Sequence, residues 1–337
     1  MKKQLPIWLL ISKSLQQNVP VMLFYVLESS GSSPGRKGFC MAVNANGEMA
    51  GSIGGGIMEH KFVEMAKEKL KHDEKECSIH KQIHDKKSLH YQSGMICSGE
   101  QSNLVYRVKA EDWKAAESII NCIGNNGSGK LTLSNKGISF DEEPAQEPLE
   151  YVWLGEEKDE WIYEEQIGYQ NNLYIVGSGH CALALSKIMA DMDFYIHLYD
   201  DRENINTFLQ NNFAHQKIIV NDYTQLKELI PSGEDSFVVV MTVGYRTDDI
   251  VVRTLIDKQF KYFGLLGSKK KIEKMFSDYR KEGIDEALLK KIHAPIGLQI
   301  NSQTPEEIAI SIAAEIIQVK NAPDTNKITD SLSSEIV

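Results

Sequence analysis

One stretch constrains the fold of this chain more than any other. Residues 172–177, NLYIVG, read as a buried strand, and Gly177-Ser178-Gly179-His180-Cys181-Ala182 follows directly as G-x-G-x-x-A at the opening of a helix. Asp200 closes the next strand, FYIHLYD. In that context Gly177 allows a tight turn, Gly179 lets backbone approach a phosphate, and Ala182 permits close helix packing. The helix N-terminus adds unpaired N–H groups and a positive dipole end. Asp200 is expected to bond a ribose 2′-hydroxyl and to repel a 2′-phosphate. The pattern speaks for a fold, and a fold does not by itself name a ligand.

The sequence around this stretch alternates regularly. Strands are expected at 172–177, 194–200, 216–220, 236–243 and 261–267, with helices at about 180–191, 203–211, 223–230, 247–258 and 269–282. Such βαβα order implies a parallel sheet covered on both faces. A last helix starts with Thr304 as N-cap, Pro305 at the first position and Glu307 at the third, a capping box. Ile308, Ile312, Ile316 and Val319 line its apolar face. Residues 321–337 lack periodicity and read as a flexible tail.

The first half is mixed α and β. PVMLFYVLE (20–28) reads as a buried strand, and FCMAVNANGEMAGSI as two short strands around Asn46-Gly47. A helix with Met58, Phe62, Met65, Ala66 and Leu70 on one face follows. Further strands are expected in ECSIHKQI, SNLVYRV, EYVWLG and EWIYEE, a helix in EDWKAAESIINCI, and a hairpin in KLTLSNKGISF. A chain of 337 residues has room for two domains. The expected fold is α/β: a mixed N-terminal domain over 1–165 and a Rossmann-like, doubly wound parallel sheet over 166–320.

Two further segments carry chemistry. Gly51-Ser52-Ile53-Gly54-Gly55-Gly56 precedes a helix, with Glu59 one turn on. Successive backbone N–H groups there suit an anion, and four glycines in six residues exceed what a simple turn needs. Cys97 lies between glycines in Gly94-Met95-Ile96-Cys97-Ser98-Gly99, a context for an exposed thiol that could react or bind a soft metal. His180 and His293 are expected near the C-terminal edge of the sheet, where open α/β sheets bind ligands. No H-E-x-x-H or Walker A sequence occurs, so a zinc peptidase is poorly supported.

Charge and cysteine usage exclude other classes. The net charge is −10, and the run from Asp141 to Glu165 holds eleven acids against Lys158 alone. A nucleic-acid partner is therefore not expected. The five cysteines include no Cys-x-x-Cys pair, so neither a zinc finger nor a disulfide framework is suggested. The N-terminal apolar run is interrupted by Ser12 and Lys13 and reads as an amphipathic helix. No run approaches the ~20 apolar residues of a membrane span. The expected setting is cytoplasmic, without membrane contact.

Taken in order, these segments resemble the xanthine dehydrogenase accessory factors, the XdhC/CoxI family. The N-terminal likeness lies in Gly31-Ser32-Ser33-Pro34, the Gly51–Gly56 cluster with Glu59, and Gly94 to Gly99 around Cys97. The C-terminal likeness lies in Gly177 to His180, Asp200-Asp201-Arg202, Val238 to Gly244, Gly264-Leu265-Leu266-Gly267-Ser268-Lys269, Ala294 to Leu298 and Thr304 to Ala309.

The resemblance implies a carrier rather than a catalyst. Such a protein binds the molybdenum cofactor, supports its sulfuration by a cysteine desulfurase partner, and inserts it into a molybdenum hydroxylase such as xanthine dehydrogenase. It places Cys97 near the molybdenum or its sulfur, and Gly54, Gly55, Gly56 and Glu59 near the pterin phosphate. Gly177, Gly179, His180, Asp200 and Asp201 then contact NAD, another nucleotide or part of the cofactor. A homodimer stays open. So do an NAD(H)-dependent oxidoreductase, for which the residues name no convincing proton donor, and a non-catalytic nucleotide-sensing module.

Overall fold

The computed structural model describes residues 4–72, 77–83, 99–142 and 161–322. Cys97, the expected strand EYVWLG, most of the acidic run and the tail beyond 322 lie outside the described residues. The chain divides into two compact units, Met1–Tyr169 and Gln170–Val337.

The first unit is built on a five-stranded sheet. Its strands are β1 (Val21–Gly31), β2 (Cys40–Asn44), β3 (Met49–Gly51), β4 (Cys77–Ile83) and β5 (Gly99–Arg107), in the order β3-β2-β1-β5-β4. All neighbours are antiparallel. Central β1 is apolar through Leu27 and buried on both faces, because a helix covers each side. On one side lie α1 (Leu5–Gln16) and α3 (Trp113–Gly124), which bury Trp8, Ile11, Ala116 and Ile119 with Leu23 and Tyr25. On the other lies α2 (Gly56–Lys71), whose Met58, Phe62, Ala66 and Leu70 meet Phe24, Val26 and Val43. A second sheet holds β6 (Ser128–Ser134), β7 (Gly137–Asp141) and β8 (Ile162–Gly168), in the order β7-β6-β8. The hairpin expected in KLTLSNKGISF is β6–β7, and EWIYEE supplies the start of β8.

The second unit has a six-stranded parallel sheet. Its strands are β9 (Asn171–Val176), β10 (Phe194–Asp200), β11 (Gln216–Ile219), β12 (Gly233–Val240), β13 (Phe260–Leu265) and β14 (Ile292–His293). Their order is β11-β10-β9-β12-β13-β14, the doubly wound arrangement that reverses beside the first strand. Helices α4 (His180–Asp191), α5 (Asn206–Gln210), α6 (Leu226–Leu229), α7 (Tyr245–Leu255), α8 (Lys269–Lys281), α9 (Glu286–Leu289) and α10 (Pro305–Lys320) complete the unit. One sheet face packs Tyr174, Tyr199, Val240 and Phe263 against Val252, Leu255 and Met275. The opposite face packs Leu173, Ile175, Leu198 and Val239 against Leu185, Ile312 and Ile316. The capping box at Thr304 forms: the Glu307 N–H donates to Thr304 Oγ1 at 3.2 Å, and the Thr304 N–H donates to Glu307 Oε2 at 3.2 Å.

Three expectations shift. The expected helices 203–211 and 223–230 are each cut to a short turn of α-helix, α5 and α6, the second entered through a 3-10 turn. Strand β12 starts at Gly233 and ends at Val240, so residues 241–243 form a loop instead of strand. The edge strand β14 pairs at only two positions, too few to leave a sequence pattern.

Candidate functional site

In the first unit, three glycine segments meet around one side chain. Gln101, near the start of β5, is 1% exposed. Its Oε1 accepts from Ser33 Oγ at 2.8 Å and from the Gly35 N–H at 3.1 Å. Its Nε2 donates to the Ile53 carbonyl at 3.0 Å and to Asn103 Oδ1 at 2.6 Å. The amide has two donors and two acceptor sites, and all are used. A Cβ on Gly35 would stand 2.3 Å from the Ile53 oxygen, one on Gly54 2.6 Å from the Gly35 nitrogen, and one on Gly99 2.5 Å from the Ser33 nitrogen. The glycines are there because three backbone segments touch. Sequence reasoning missed Gln101, because an isolated polar residue before an apolar run carries no periodic signal.

The loop N–H groups have an occupant, which corrects the expected anion nest. Glu59 Oε2 accepts from Ser52 Oγ at 2.6 Å, from the Ile53 N–H at 3.2 Å and from the Gly55 N–H at 3.0 Å. The Gly54 N–H donates to Ser52 Oγ at 3.2 Å. Glu59 was expected beside a bound anion; instead its own carboxylate is the anion on these donors. The physical reason is helical spacing, which brings a carboxylate one turn into α2 back over its N-terminus.

Beside Gln101 lies a cavity of about 590 Å³. Its wall includes Leu27, Glu28, Ser29, Ser30, Lys37, Lys81, Glu100, Gln101 and Ser102. Lys81 pairs with Glu100 at 2.6 Å. The Lys37 ammonium stands 5.4 Å from the centre of the Tyr163 ring. Tyr163 and Tyr25 both donate to Glu165 Oε2, at 2.6 and 2.8 Å. Burial raises the Glu165 carboxyl above the usual range, although both tyrosines and Lys37 pull it down. Gly99 opens β5, paired with Gly31, and Cys97 is two residues upstream of it in the chain.

In the second unit, the glycine loop stands where the sheet reverses, between β10 and β12. Gly177 has φ +104° and a Cβ there would lie 2.3 Å from the Met241 oxygen, so both conformation and packing require glycine. Gly179 has open space around it. Asp200 departs from its expected role. Its Oδ2 accepts from the Ser178 N–H at 2.8 Å, Ser178 Oγ at 2.7 Å and Arg202 Nη2 at 3.0 Å, and its Oδ1 from the Arg202 N–H at 3.0 Å and Nε at 2.8 Å. It is fully buried. Burial alone would raise this carboxyl, but the bonds from Arg202 and Ser178 outweigh it and hold it below the usual range. Five donors leave no place for a ribose hydroxyl, so Asp200 clamps the glycine loop instead.

Around the loop, His180 is exposed at the start of α4. With Leu183, Ile205, Asn206, Thr207 and Gln210 it lines a cavity of about 480 Å³. Thr207 Oγ1 donates to the Ser178 carbonyl at 2.5 Å. Across the sheet reversal, buried Asp248 accepts from the Thr242 N–H at 3.1 Å and pairs with Lys271, which fixes the loop after β12. His293 ends β14, paired with Gly264 near the C-terminal edge of the sheet, but is engaged there: Nδ1 faces Glu315 at 3.3 Å and the ring stacks on Tyr262.

Comparison with known proteins agrees with this architecture. The XdhC and CoxI family model matches residues 14–80, and the XdhC Rossmann domain matches residues 173–316. YqeB of Escherichia coli strain K12, described as uncharacterized, is 24% identical over 92% of this chain and 45% of its own length. A protein of Bacillus subtilis strain 168, described as a probable subunit of xanthine dehydrogenase, is 28% identical over 47% of this chain and 46% of its own. The alignments thus span about half the length of both curated relatives. A crystal structure of a Bacillus halodurans protein described as a xanthine dehydrogenase shares the fold, with a TM-score of 0.68 at 22% identity over 94% of this chain and 97% of that one. Among the described residues no helix is long and apolar enough to cross a membrane. Both halves of the chain, each with its glycine loop, match one family in one order: the chain belongs to the XdhC and CoxI family.

Proposed function

We propose that this chain is an accessory factor of a xanthine-dehydrogenase-type molybdenum hydroxylase. It binds the molybdenum cofactor, supports its sulfuration with a cysteine desulfurase partner, and inserts it into the client enzyme. The observation that carries this reading is the meeting of the Gly35, Gly54 and Gly99 segments around Gln101, beside the cavity of about 590 Å³. That volume lies within the roughly 300–1,000 Å³ of small-molecule sites. Lys37 and the hydroxyls of Ser29, Ser30 and Ser102 suit the phosphate and polar edge of a pterin. When bound, the cofactor supplies the molybdenum centre of the client; this chain binds, orients and shields it.

Cys97 is the proposed thiol. Burial pushes the other four cysteines up: Cys40 strongly, Cys77 to about 11, and Cys122 and Cys181 above the usual thiol value. They are poor sources of thiolate at neutral pH. A soft thiolate suits a soft metal. In the same proposal the Gly177–His180 loop of the second unit holds a nucleotide or a nucleotide-like part of the cofactor. Asp200 is occupied within the protein, so neither this nucleotide nor that of the oxidoreductase alternative has its carboxylate as a ribose partner.

The test is anaerobic loading. The protein is incubated with cofactor released from a molybdoenzyme, freed of unbound material, and assayed for retained molybdenum and pterin beside Cys97→Ala. Stoichiometric retention that weakens in the variant is expected. Retention unchanged in Cys97→Ala removes the assigned thiol, and absence of retention overturns the carrier function.

A further inference from the structure

Two charged groups of the first unit, Lys37 and Glu165, are joined through one tyrosine ring at the wall of its cavity. Lys37 is exposed and lines the cavity of about 590 Å³, with its ammonium 5.4 Å from the centre of the Tyr163 ring. Among the described residues no carboxylate or carbonyl pairs with it, whereas Lys81, the other cation of that wall, is paired with Glu100 at 2.6 Å. The Tyr163 hydroxyl donates to Glu165 Oε2 at 2.6 Å, and Tyr25 donates to the same oxygen at 2.8 Å. The other oxygen of Glu165 lies against the residue that follows Lys37. A Cβ on Gly38, at φ +85°, would stand 2.5 Å from Glu165 Oε1, so glycine lets the carboxyl sit directly against the Lys37 turn.

The groups that face Glu165 come from several elements. Tyr25 belongs to β1, Cys40 to β2, Tyr163 to β8 itself, and Lys37 to the connection between β1 and β2. Strand β6 sets the apolar Leu131 opposite Glu165, and ahead of α1 the uncharged Gln4 donates to the Gly38 carbonyl at 3.4 Å. Burial raises both tyrosines and the Cys40 thiol, so all three keep their protons when the carboxyl ionises.

We infer that Lys37 binds the anionic group of the ligand while Glu165 holds a proton, and that ionisation of Glu165 releases it. The identity of that group as a phosphate rests on the reading of the cavity as the cofactor's seat. With Glu165 protonated, the field of the ammonium is uncompensated and open to an anion. With Glu165 ionised, a negative charge attracts the same ammonium from behind and repels an anion in front. By linkage the anion in turn favours uptake of a proton from solvent at Glu165. Burial is the largest influence on this carboxyl and favours its protonated form, which is the binding form. Glu165 is thus a positioning residue that acts through Lys37, and release of the ligand follows from a change of charge without a change of fold.

The probe is radiolabelled sulfate, whose own charge is fixed across the pH range. It is equilibrated by dialysis with the full chain from the ordinary glutamate range to above neutrality, beside Lys37→Gln and Glu165→Gln. Affinity in the parent is expected to fall about threefold to fivefold as pH rises, the scale of one partly screened charge pair. Lys37→Gln loses this binding. Glu165→Gln keeps an acceptor for both tyrosines and loses the decline, binding at high pH as it does at low pH. Sulfate added to weakly buffered parent protein should also raise the pH, and should not do so with Lys37→Gln. No sulfate binding by the parent, binding unchanged in Lys37→Gln, no proton uptake, or an equal decline in Glu165→Gln overturns the inference. Failure to retain the molybdenum cofactor while sulfate behaves as expected overturns the cofactor reading and leaves the proton-linked anion site standing.

Discussion

Gly55 donates its backbone N–H to Glu59 Oε2 at 3.0 Å, and the same oxygen takes the Ile53 N–H and the Ser52 hydroxyl. One carboxylate therefore gathers the whole Ser52–Gly55 turn onto the first turn of α2. Glu59→Ala should destabilise the first unit by about 1–2 kcal/mol, the scale of a lost cap or charge-assisted bond. Glu59→Gln, which keeps an acceptor, should cost less. Urea unfolding of the two variants measures the difference; equal losses would show that charge rather than hydrogen bonding holds the turn.

Gln101→Leu leaves the Gly35 N–H, the Ser33 hydroxyl and the Ile53 carbonyl buried without their partner. The expected cost is about 2–4 kcal/mol, because unsatisfied buried groups forfeit their full hydration. Chemical denaturation reads it directly. A loss below about 0.5 kcal/mol, typical of a surface site, would show that Gln101 does not hold the three segments together.

The two loop glycines of the second unit should behave oppositely. Gly177→Ala meets both a positive φ and the Met241 oxygen, and should cost about 2 kcal/mol or more. Gly179→Ala enters open space at a negative φ and should change stability by less than about 0.5 kcal/mol. If ligand backbone contact occurs at Gly179, that stable variant nevertheless weakens nucleotide binding. Thermal melting and NADH titration on the same samples separate the two effects.

Glu165 gives a pH dependence with a definite sign. Its carboxyl is raised in the folded state, so its contribution is present in full below the unfolded value and lost as pH rises through the folded one. Glu165→Gln keeps an acceptor for Tyr25 and Tyr163 without the buried charge. The stability of the variant relative to the parent should therefore improve as pH rises above the ordinary glutamate range toward the raised folded value. Urea midpoints across that range check it; a gap that moves the other way would mean the folded carboxyl is lowered.

Thiol labelling tests the assignment of Cys97. With the other four thiols raised by burial, brief iodoacetamide treatment at neutral pH should modify Cys97 first. Peptide mass spectrometry identifies the labelled residue. Prior labelling of Cys77 or Cys181 would remove the chemical ground for choosing Cys97.

Much of the architecture was legible in the chain itself. Alternating strand and helix periods announced the parallel sheet, Gly177-Ser178-Gly179 announced its glycine loop, and Thr304-Pro305-Glu306-Glu307 announced the start of α10. These features depend on contacts within a few residues, so local sequence encodes them. The short edge strand β14 escaped notice because two paired residues leave no period.

The partners of the polar side chains were a different matter. Composition and spacing placed Glu59 near a nest and Asp200 near a ribose, yet each carboxylate turns inward to donors of its own protein. Gln101 looked like an ordinary residue before a strand, and becomes the meeting point of segments far apart in the chain. Sequence determined where strands, helices and glycine turns form, because those follow from repeating backbone geometry. Only the tertiary structure decided which donor satisfies which buried acceptor, because that depends on distant segments arriving at one place and on the cost of leaving any of their polar groups unpaired.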